Sequence, residues 1–157
     1  RSTTNQLFLP FGLRLGLRPH ENKLEVIKQA EDIIISYPYL QTSDTLQRLV
    51  FHLAAILSNK NSVLIFEEPE AHAFPYYTKY MAETIAIDNR ENQYFIATHN
   101  PYLLQPLLEK SVVGDVSVFI TYFDDYQTKI RPLTPAEIEE ILEIDVFSNI
   151  DRFLEVK

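Results

Sequence analysis

The chain contains no cysteine and no tryptophan, and only 3 of its 157 residues are glycine. The absence of cysteine excludes a disulfide framework, a thiolate zinc site, an iron–sulfur cluster and a cysteine nucleophile. The glycines are Gly12, Gly16 and Gly114, and none of them is followed by Lys and then Ser or Thr. The chain therefore carries neither a P-loop that cradles phosphates nor a glycine-rich dinucleotide fingerprint.

Long apolar runs are absent as well. Stretches such as Val63–Phe66 and Ile33–Ile35 fall far short of the roughly 20 residues that a membrane-spanning helix needs, and the N-terminus has no signal-peptide pattern. With 46% apolar residues, a chain of this length can bury a single core. We expect one domain over residues 1–157, in a soluble cytoplasmic protein that makes no membrane contact.

The net charge of −8 is unevenly distributed. Residues 1–60 contain 7 basic and 5 acidic side chains (+2), whereas residues 61–157 contain 7 basic and 17 acidic side chains (−10). An acidic surface repels a phosphate backbone. Nucleic-acid binding is possible for a complete protein with a further basic surface, but this acidic part does not favour it.

Hydrophobic periodicity predicts helices and strands that alternate through the middle of the chain. Strands are predicted at 13–17, 62–66 and 93–98, the second buried on both faces. Helices are predicted at 23–36, 44–57, 71–87 and 100–109, with Asp44 and Gln47 as a capping box and with Asn100 as an N-cap. The final turn of the first helix is ambiguous, because Ile33, Ile34 and Ile35 are β-branched. Two further strands, at 115–123 and 128–131, precede a helix that begins at the capping box of Thr134 and Glu137.

This alternation indicates an α/β fold, in which a mostly parallel sheet is covered by helices and is followed by a C-terminal strand pair and helix. In such folds, functional sites collect at the carboxyl ends of the strands. Three groups of polar residues stand at positions of this kind or at the start of a helix.

The first group is an acidic pair, Glu67 and Glu68, directly after an apolar strand. Two adjacent carboxylates at such a position repel each other unless a cation or a proton intervenes. A hydrated Mg²⁺ ion is usually held by one or two carboxylates plus substrate phosphates, so Glu67 would hold the shell of the ion and Glu68 would activate a water. The alternative is that both side chains point into solvent, with Glu70 favouring the N-terminus of the next helix.

The second group, Thr98 and His99, follows the next strand of the predicted sheet. Because parallel strands end at the same edge, these residues should lie near the acidic pair. A single histidine also occurs as a capping or packing residue, and this alternative stays open. The third group is Ser43 and Asp44 at a helix start, which suits an anion site but is equally what helix capping alone predicts.

The order of the three groups resembles the C-terminal half of an ABC-type ATPase head. It is most similar to the stand-alone AAA-15 and AAA-21, or overcoming-lysogenization-defect, branch, which is related to the RecF and SMC heads. The matching elements are the signature motif at 43–48, the Walker B strand at 63–68 and the His switch at His99. The resemblance implies a partial P-loop NTPase fold for this chain.

The resemblance also implies a role for each matching residue. Glu67 takes the magnesium-shell position, and Glu68 takes the position of the catalytic carboxylate that polarises the attacking water. His99 contacts and senses the γ-phosphate. Ser43 and Asp44 reach the γ-phosphate of a nucleotide that is held by the opposing subunit. The glycine that is usual in the signature motif is replaced by Thr45.

The complete protein is accordingly expected to be an ATPase that binds Mg²⁺ with ATP and forms a homodimer through its heads. Its P-loop would lie in an N-terminal segment that this chain lacks, so the chain alone is expected to be inactive. Two alternatives stay open. One is a non-catalytic binding or dimerisation module, and the other is a metal-dependent hydrolase that uses Glu67, Glu70, His72 and His99 directly. DNA repair and phage defence both remain compatible with these motifs.

Overall fold

A computed structural model describes residues 8–9, 12–112 and 114–154. Its first unit is an antiparallel sheet of three strands, namely β1 (Leu13–Arg18), β2 (Lys23–Ala30) and β3 (Ile33–Pro38). The predicted helix over 23–36 is therefore wrong. Val26 is buried opposite Leu15 of β1, and a run of β-branched isoleucines favours the extended β3.

The next element, α1 (Asp44–Ser58), forms where the sequence predicts a helix. Its N-cap is Ser43, whose Oγ accepts the backbone N–H of Leu46 at 3.4 Å. The predicted capping box of Asp44 and Gln47 is wrong, because Asp44 is already the first helical residue and Gln47 donates instead to the carbonyl oxygen of Thr42.

Two parallel strands and two helices follow, in the order β4 (Val63–Glu67), α2 (Pro75–Ala86), β5 (Gln93–Ala97) and α3 (Pro101–Lys110). Proline occupies the first turn of α2, a position where its missing N–H has no cost, and the helix begins there rather than at residue 71. Asn100 caps α3 as predicted, because its Oδ1 accepts the N–H of Tyr102 at 2.8 Å.

One face of the β4–β5 pair packs against α1, α2 and α3. The buried residues of this core are Leu49, Leu53, Ile56, Phe66, Met81, Ala82, Ile85 and Leu103. The opposite face is open among the described residues, since Val63, Ile65 and Phe95 are 59%, 76% and 53% exposed. The prediction that β4 is buried on both faces is therefore wrong for this chain alone.

The C-terminal part contains β6 (Phe119–Asp124), β7 (Gln127–Pro132), α4 (Pro135–Glu143) and α5 (Ile150–Leu154). The hairpin loop consists of Asp125 and Tyr126, which have φ angles of 48° and 58°, as two-residue hairpin loops require. Thr134 and Glu137 form the predicted capping box of α4. A second core packs beneath the hairpin and contains Ile120, Leu133, Ile141, Val146 and Phe153.

The α/β prediction is confirmed by the parallel pair with its helices and by the C-terminal strand pair followed by helices. None of the helices that the structure describes is both long enough and apolar enough to cross a membrane. The feature that matters for function is the edge at which β4 and β5 end.

Candidate active site

The two parallel strands end side by side, and the polar residues that follow them meet at this edge. Glu67 is paired with Ala97 at the end of the ladder. The N–H of Glu68 then donates to the carbonyl oxygen of Ala97 at 2.8 Å, which continues the pairing one residue beyond β4. The backbone therefore fixes the start of the loop after β4 against the end of β5.

Glu68 and His99 make a direct contact at this edge. The Nδ1 atom of His99 lies 3.2 Å from Oε1 of Glu68, and the two side chains are 72% and 51% exposed. The structure thus brings together the acidic pair and the histidine that follow separate strands in the sequence. A carboxylate and an imidazole that touch and are open to solvent are groups that can orient a water and exchange a proton with it.

Glu67 lies on the open face of the parallel pair. Side chains alternate along a strand, so Glu67 shares this face with Val63 and Ile65. It borders a shallow cavity of about 390 Å³, whose lining residues are Ile65, Phe66, Glu67, Phe95, Ile96 and Ala97. The carboxylate of Glu67 is exposed among mainly apolar lining residues, and such an oxygen ligand fits a hydrated Mg²⁺ ion that is shared with substrate phosphates.

A metal site built from protein ligands alone has little support. Among the described residues, no group of three or more His, Asp or Glu side chains is placed to hold a metal ion. His72 lies in the loop before α2, three residues before this helix begins. The direct metal hydrolase with Glu67, Glu70, His72 and His99 as ligands is therefore not favoured by this geometry.

The loop between β4 and α2 has an unusual backbone. Glu68 and His72 have φ angles of 42° and 60°, in the left-handed region that non-glycine residues rarely adopt. Such residues each cost about 1–3 kcal/mol and are found where the surroundings impose them, often at active sites. Two backbone hydrogen bonds between residues three apart hold the loop. The N–H of Ala71 donates to the carbonyl oxygen of Glu68 at 2.9 Å, and the N–H of Ala73 donates to that of Glu70 at 2.8 Å.

Glu70 is the site residue whose environment the sequence did not reveal. The prediction that it favours the N-terminus of the following helix is wrong, because α2 begins five residues later at Pro75. Its side chain is instead buried, with 4% exposed. Oε1 accepts a hydrogen bond from the hydroxyl of Thr98 at 2.5 Å. The only signal in the sequence is that an acidic residue follows Pro69.

Thr98 links this buried carboxylate to the turn that contains His99. While its hydroxyl donates to Glu70, the oxygen of that hydroxyl accepts the backbone N–H of Asn100 at 3.1 Å. His99 therefore lies between two residues that are joined to each other by a hydrogen bond. Asn100 in turn caps α3, so the turn is fixed at both ends.

Ser43 and Asp44 lie at the start of α1 and are engaged locally. Ser43 caps the helix, and Oδ2 of Asp44 accepts a hydrogen bond from Nε of Arg48 at 3.1 Å. No hydrogen bond or ion pair within the described residues joins either of them to Glu67, Glu68 or His99. The link to the active-site loop is made by their neighbour Thr45, whose hydroxyl donates to the carbonyl oxygen of His72 at 2.7 Å.

The sequence of residues 22–105, more than half of the chain, matches the AAA-21 family, described as AAA domain, putative AbiEii toxin, type IV TA system. A comparison with curated proteins finds no match. Among solved structures, a chain from work on ATP-driven dimerization and DNA-stimulated activation of SMC ATPases is similar, with a TM-score of 0.60 and 19% sequence identity. The likeness covers 89% of this chain and 86% of that chain.

At this level of identity the structural likeness concerns the fold, while the family match concerns the sequence itself. Both findings agree with an ATPase head of the ABC/SMC-like type. The resemblance to the ABC/SMC-like ATPase heads is thereby confirmed. The chain belongs to the AAA-21 family of P-loop ATPase domains and has the fold of an SMC-like ATPase head.

Proposed function

We propose that this chain supplies the hydrolytic edge of an ABC/SMC-like ATPase, which in its complete form binds Mg²⁺ with ATP and hydrolyses it. The observation that supports this most directly is the 3.2 Å contact between Glu68 and His99 at the edge where Glu67 also lies. Hydrolysis of a phosphoanhydride depends on an oriented water and on stabilisation of the charge that develops on the phosphoryl group. These three side chains provide groups for both tasks.

In this proposal each side chain has one role. Glu68 accepts a hydrogen bond from the attacking water and polarises it, and His99 donates a hydrogen bond to an oxygen of the γ-phosphate. Glu67 accepts hydrogen bonds from the water shell of Mg²⁺, and the ion when bound neutralises charge on the phosphates. Ser43 and Asp44 face the nucleotide of a second head.

The remaining phosphate clamp is assigned to a P-loop segment that this chain lacks. The open apolar face of Val63, Ile65 and Phe95 supports this assignment, because an uncovered apolar face on a parallel pair calls for a covering layer. Glu67 lies on the same face. A P-loop segment that covers this face would hold the phosphates of the bound nucleotide on the same side of the sheet as Glu67, the proposed magnesium ligand.

The proposed assembly is a homodimer in which two heads enclose ATP. The similar SMC chain comes from work on ATP-driven dimerization, and the N-terminus of α1 offers the surface that would face the second nucleotide. DNA is not a favoured partner of residues 61–157, which carry a net charge of −10. If the complete protein contacts DNA, another part of it with a basic surface would make that contact.

The test uses the complete ATPase, or this chain co-expressed with the part that carries the P-loop. Replacement of the proposed catalytic carboxylate by Glu68→Gln should lower ATP turnover by about 10²–10⁴-fold, the usual contribution of a positioned acid or base. ATP binding should persist, and ATP should then accumulate a stable dimer that is visible by light scattering. The matched control is Glu109→Gln, which changes an exposed carboxylate on α3.

Two results contradict the proposal. Unchanged turnover in Glu68→Gln removes the assigned role of this carboxylate. Steady turnover by the 157-residue chain alone, abolished by Glu68→Gln, shows that the P-loop segment is not needed.

A non-catalytic binding or dimerisation module is the second candidate. It is favoured by one observation, namely that the hydroxyl of Thr45, at the position of the usual signature glycine, donates to His72 of its own chain. In that case the complete protein binds ATP and dimerises, but the turnover of the unmodified protein equals that of Glu68→Gln.

A further inference from the structure

We infer that Glu70 is a positioning residue of the ATPase: its buried carboxylate, acting through Thr98, holds the turn of His99 against Glu68. The expected effect on catalysis rests on the proposed function, but the hydrogen bond between Thr98 and Glu70 can be tested independently of it.

The burial of Glu70 requires an explanation. Only 4% of the residue is exposed, and among the described residues Oε2 has no hydrogen-bond partner although it is buried. A buried carboxylate with an unpaired oxygen is unfavourable, and an apolar side chain of similar size usually gives a more stable protein. Glu70 is thus poorly explained as a stabilising residue, and its one strong contact, to Thr98, indicates what it does.

That contact leads directly to His99. Thr98 donates its hydroxyl proton to Oε1 of Glu70, so its lone pairs are left for the N–H of Asn100 at 3.1 Å. The acceptor on Glu70 therefore sets the direction of the hydroxyl, and the hydroxyl closes the turn around His99. Without the carboxylate, the hydroxyl is free to rotate and the turn loses its fixed partner.

Among the described residues, three contacts join the loop after β4 to the end of β5 and the loop that follows it, and they differ in what they can fix. The backbone bond from Glu68 N–H to Ala97 O sets the spacing of the loops, but it ends before His99. The contact of Glu68 with His99 is exposed, and exposed ion pairs contribute little because water screens them. The bond of Thr98 to Glu70 is partly buried, with Glu70 itself only 4% exposed, so it is less open to water than the other side-chain contact and is the one able to hold the turn.

The first test measures the turn itself in the 157-residue chain by amide hydrogen exchange and NMR. Loss of one hydrogen bond should raise the exchange rate of the Asn100 amide by about tenfold in Glu70→Ala and in Thr98→Val. The His99 ring signals should shift in both variants. Glu70→Gln keeps an acceptor and Thr98→Ser keeps a hydroxyl. Both of these variants should therefore show the Asn100 exchange rate and the His99 ring signals of the unmodified chain. Glu109→Ala, an exposed change on α3, is the control.

The second test measures turnover in the ATPase assembled with its P-loop part. A misplaced His99 should lower kcat by about 10- to 100-fold in Glu70→Ala and Thr98→Val while KM for ATP changes little, because a displacement of about 1 Å has effects of this size. Glu70→Gln and Thr98→Ser should recover most of kcat. Should Glu70→Ala not fold, Thr98→Val, which is nearly isosteric with threonine, decides the question.

The two tests separate the two proposals. If the unmodified assembly has no turnover, the proposed function fails, while exchange at Asn100 still decides whether Glu70 holds the turn. If Asn100 exchange and the His99 signals are unchanged in Glu70→Ala or in Thr98→Val, or if kcat is unchanged in these variants of an active assembly, the inference about Glu70 is overturned.

Discussion

His52 and His99 differ in burial, and this difference gives the two histidines different roles. His52, on α1, is 8% exposed and its ring meets the edge of Phe66 at a centroid distance of 5.4 Å. Burial lowers the pKa of His52 below its usual 6.5, and the positive charge of Arg48 lowers it further. His52 is therefore a neutral packing residue, whereas His99 is 72% exposed beside the Glu68 carboxylate.

The lowered pKa of His52 predicts a loss of stability in mild acid. The unfolded chain binds a proton near pH 6.5 that the folded chain takes up only at lower pH, so the stabilisation is present above that value and is lost as the pH falls below it. Denaturant unfolding from about pH 8 to about pH 5 should show a falling midpoint in the unmodified chain. His52→Leu should flatten this dependence, whereas the exposed control His20→Gln should preserve it. Identical pH profiles for His52→Leu and the unmodified chain contradict the prediction.

The start of α4 shows what a local sequence pattern contributes to one helix. Thr134 Oγ1 accepts the N–H of Glu137, and Glu137 Oε2 accepts the N–H of Thr134 at 2.8 Å. The guanidinium of Arg131, followed by the backbone and hydroxyl of Thr134, holds the pKa of Glu137 at about 2. The carboxylate therefore stays charged, and keeps its role in the cap, well below its usual pKa of 4.5.

Thr134→Ala should lower the free energy of unfolding by about 1 kcal/mol, the typical cost of losing an N-cap side chain. Chemical denaturation of the variant at neutral pH measures this loss. Ser117→Ala, which removes a hydroxyl from an exposed loop residue, is the control and should leave stability nearly unchanged. If both variants unfold at the same denaturant concentration, the capping box of Thr134 and Glu137 contributes nothing to the stability of the protein.

These elements also show how far the sequence alone determines the structure. α1, α3 and α4 were predictable because their caps and apolar spacing are local features. The strands at 23–38 were not, because apolar residues at helical spacing there are overridden by the antiparallel pairing of β2 with β1 and of β3 with β2. Glu67, Glu68 and His99 were placed correctly at one edge by parallel topology. Glu70 was misplaced, because its burial depends on Thr98, which is 28 residues away in the chain.

At the scale of the whole molecule, the β4–β5 pair and the β6–β7 hairpin each pack one face on a core and expose apolar side chains on the other face. The parallel pair exposes Val63, Ile65 and Phe95, and the outer face of the β6–β7 hairpin exposes Phe119, Phe123 and Ile130. Contiguous exposed apolar surface on a folded domain marks an interaction site. For the parallel pair, the proposed P-loop segment is the partner, since Glu67 shares the same face.

The assignment of this face predicts that one double variant leaves the stability of the chain nearly unchanged but weakens its binding to the P-loop part. In the 157-residue chain, Ile65→Thr with Phe95→Thr should change the free energy of unfolding by less than about 1 kcal/mol, because both side chains are largely exposed and threonine suits a strand. Binding to the P-loop part should weaken by at least about tenfold, since each apolar side chain is worth about 1.5–3 kcal/mol when fully buried. Calorimetric titration of separately purified parts measures this affinity.

Tyr126→Asn is the matched control, because it removes an aromatic side chain that is 93% exposed at the hairpin turn, away from the parallel pair, and asparagine suits the positive φ of this position. It should leave binding to the P-loop part unchanged. Equal affinity of the double variant and the unmodified chain would show that this face stays uncovered in the complete ATPase. In that case Glu67 would face solvent rather than the nucleotide, and the role assigned to it at the magnesium ion would fail together with the assigned partner.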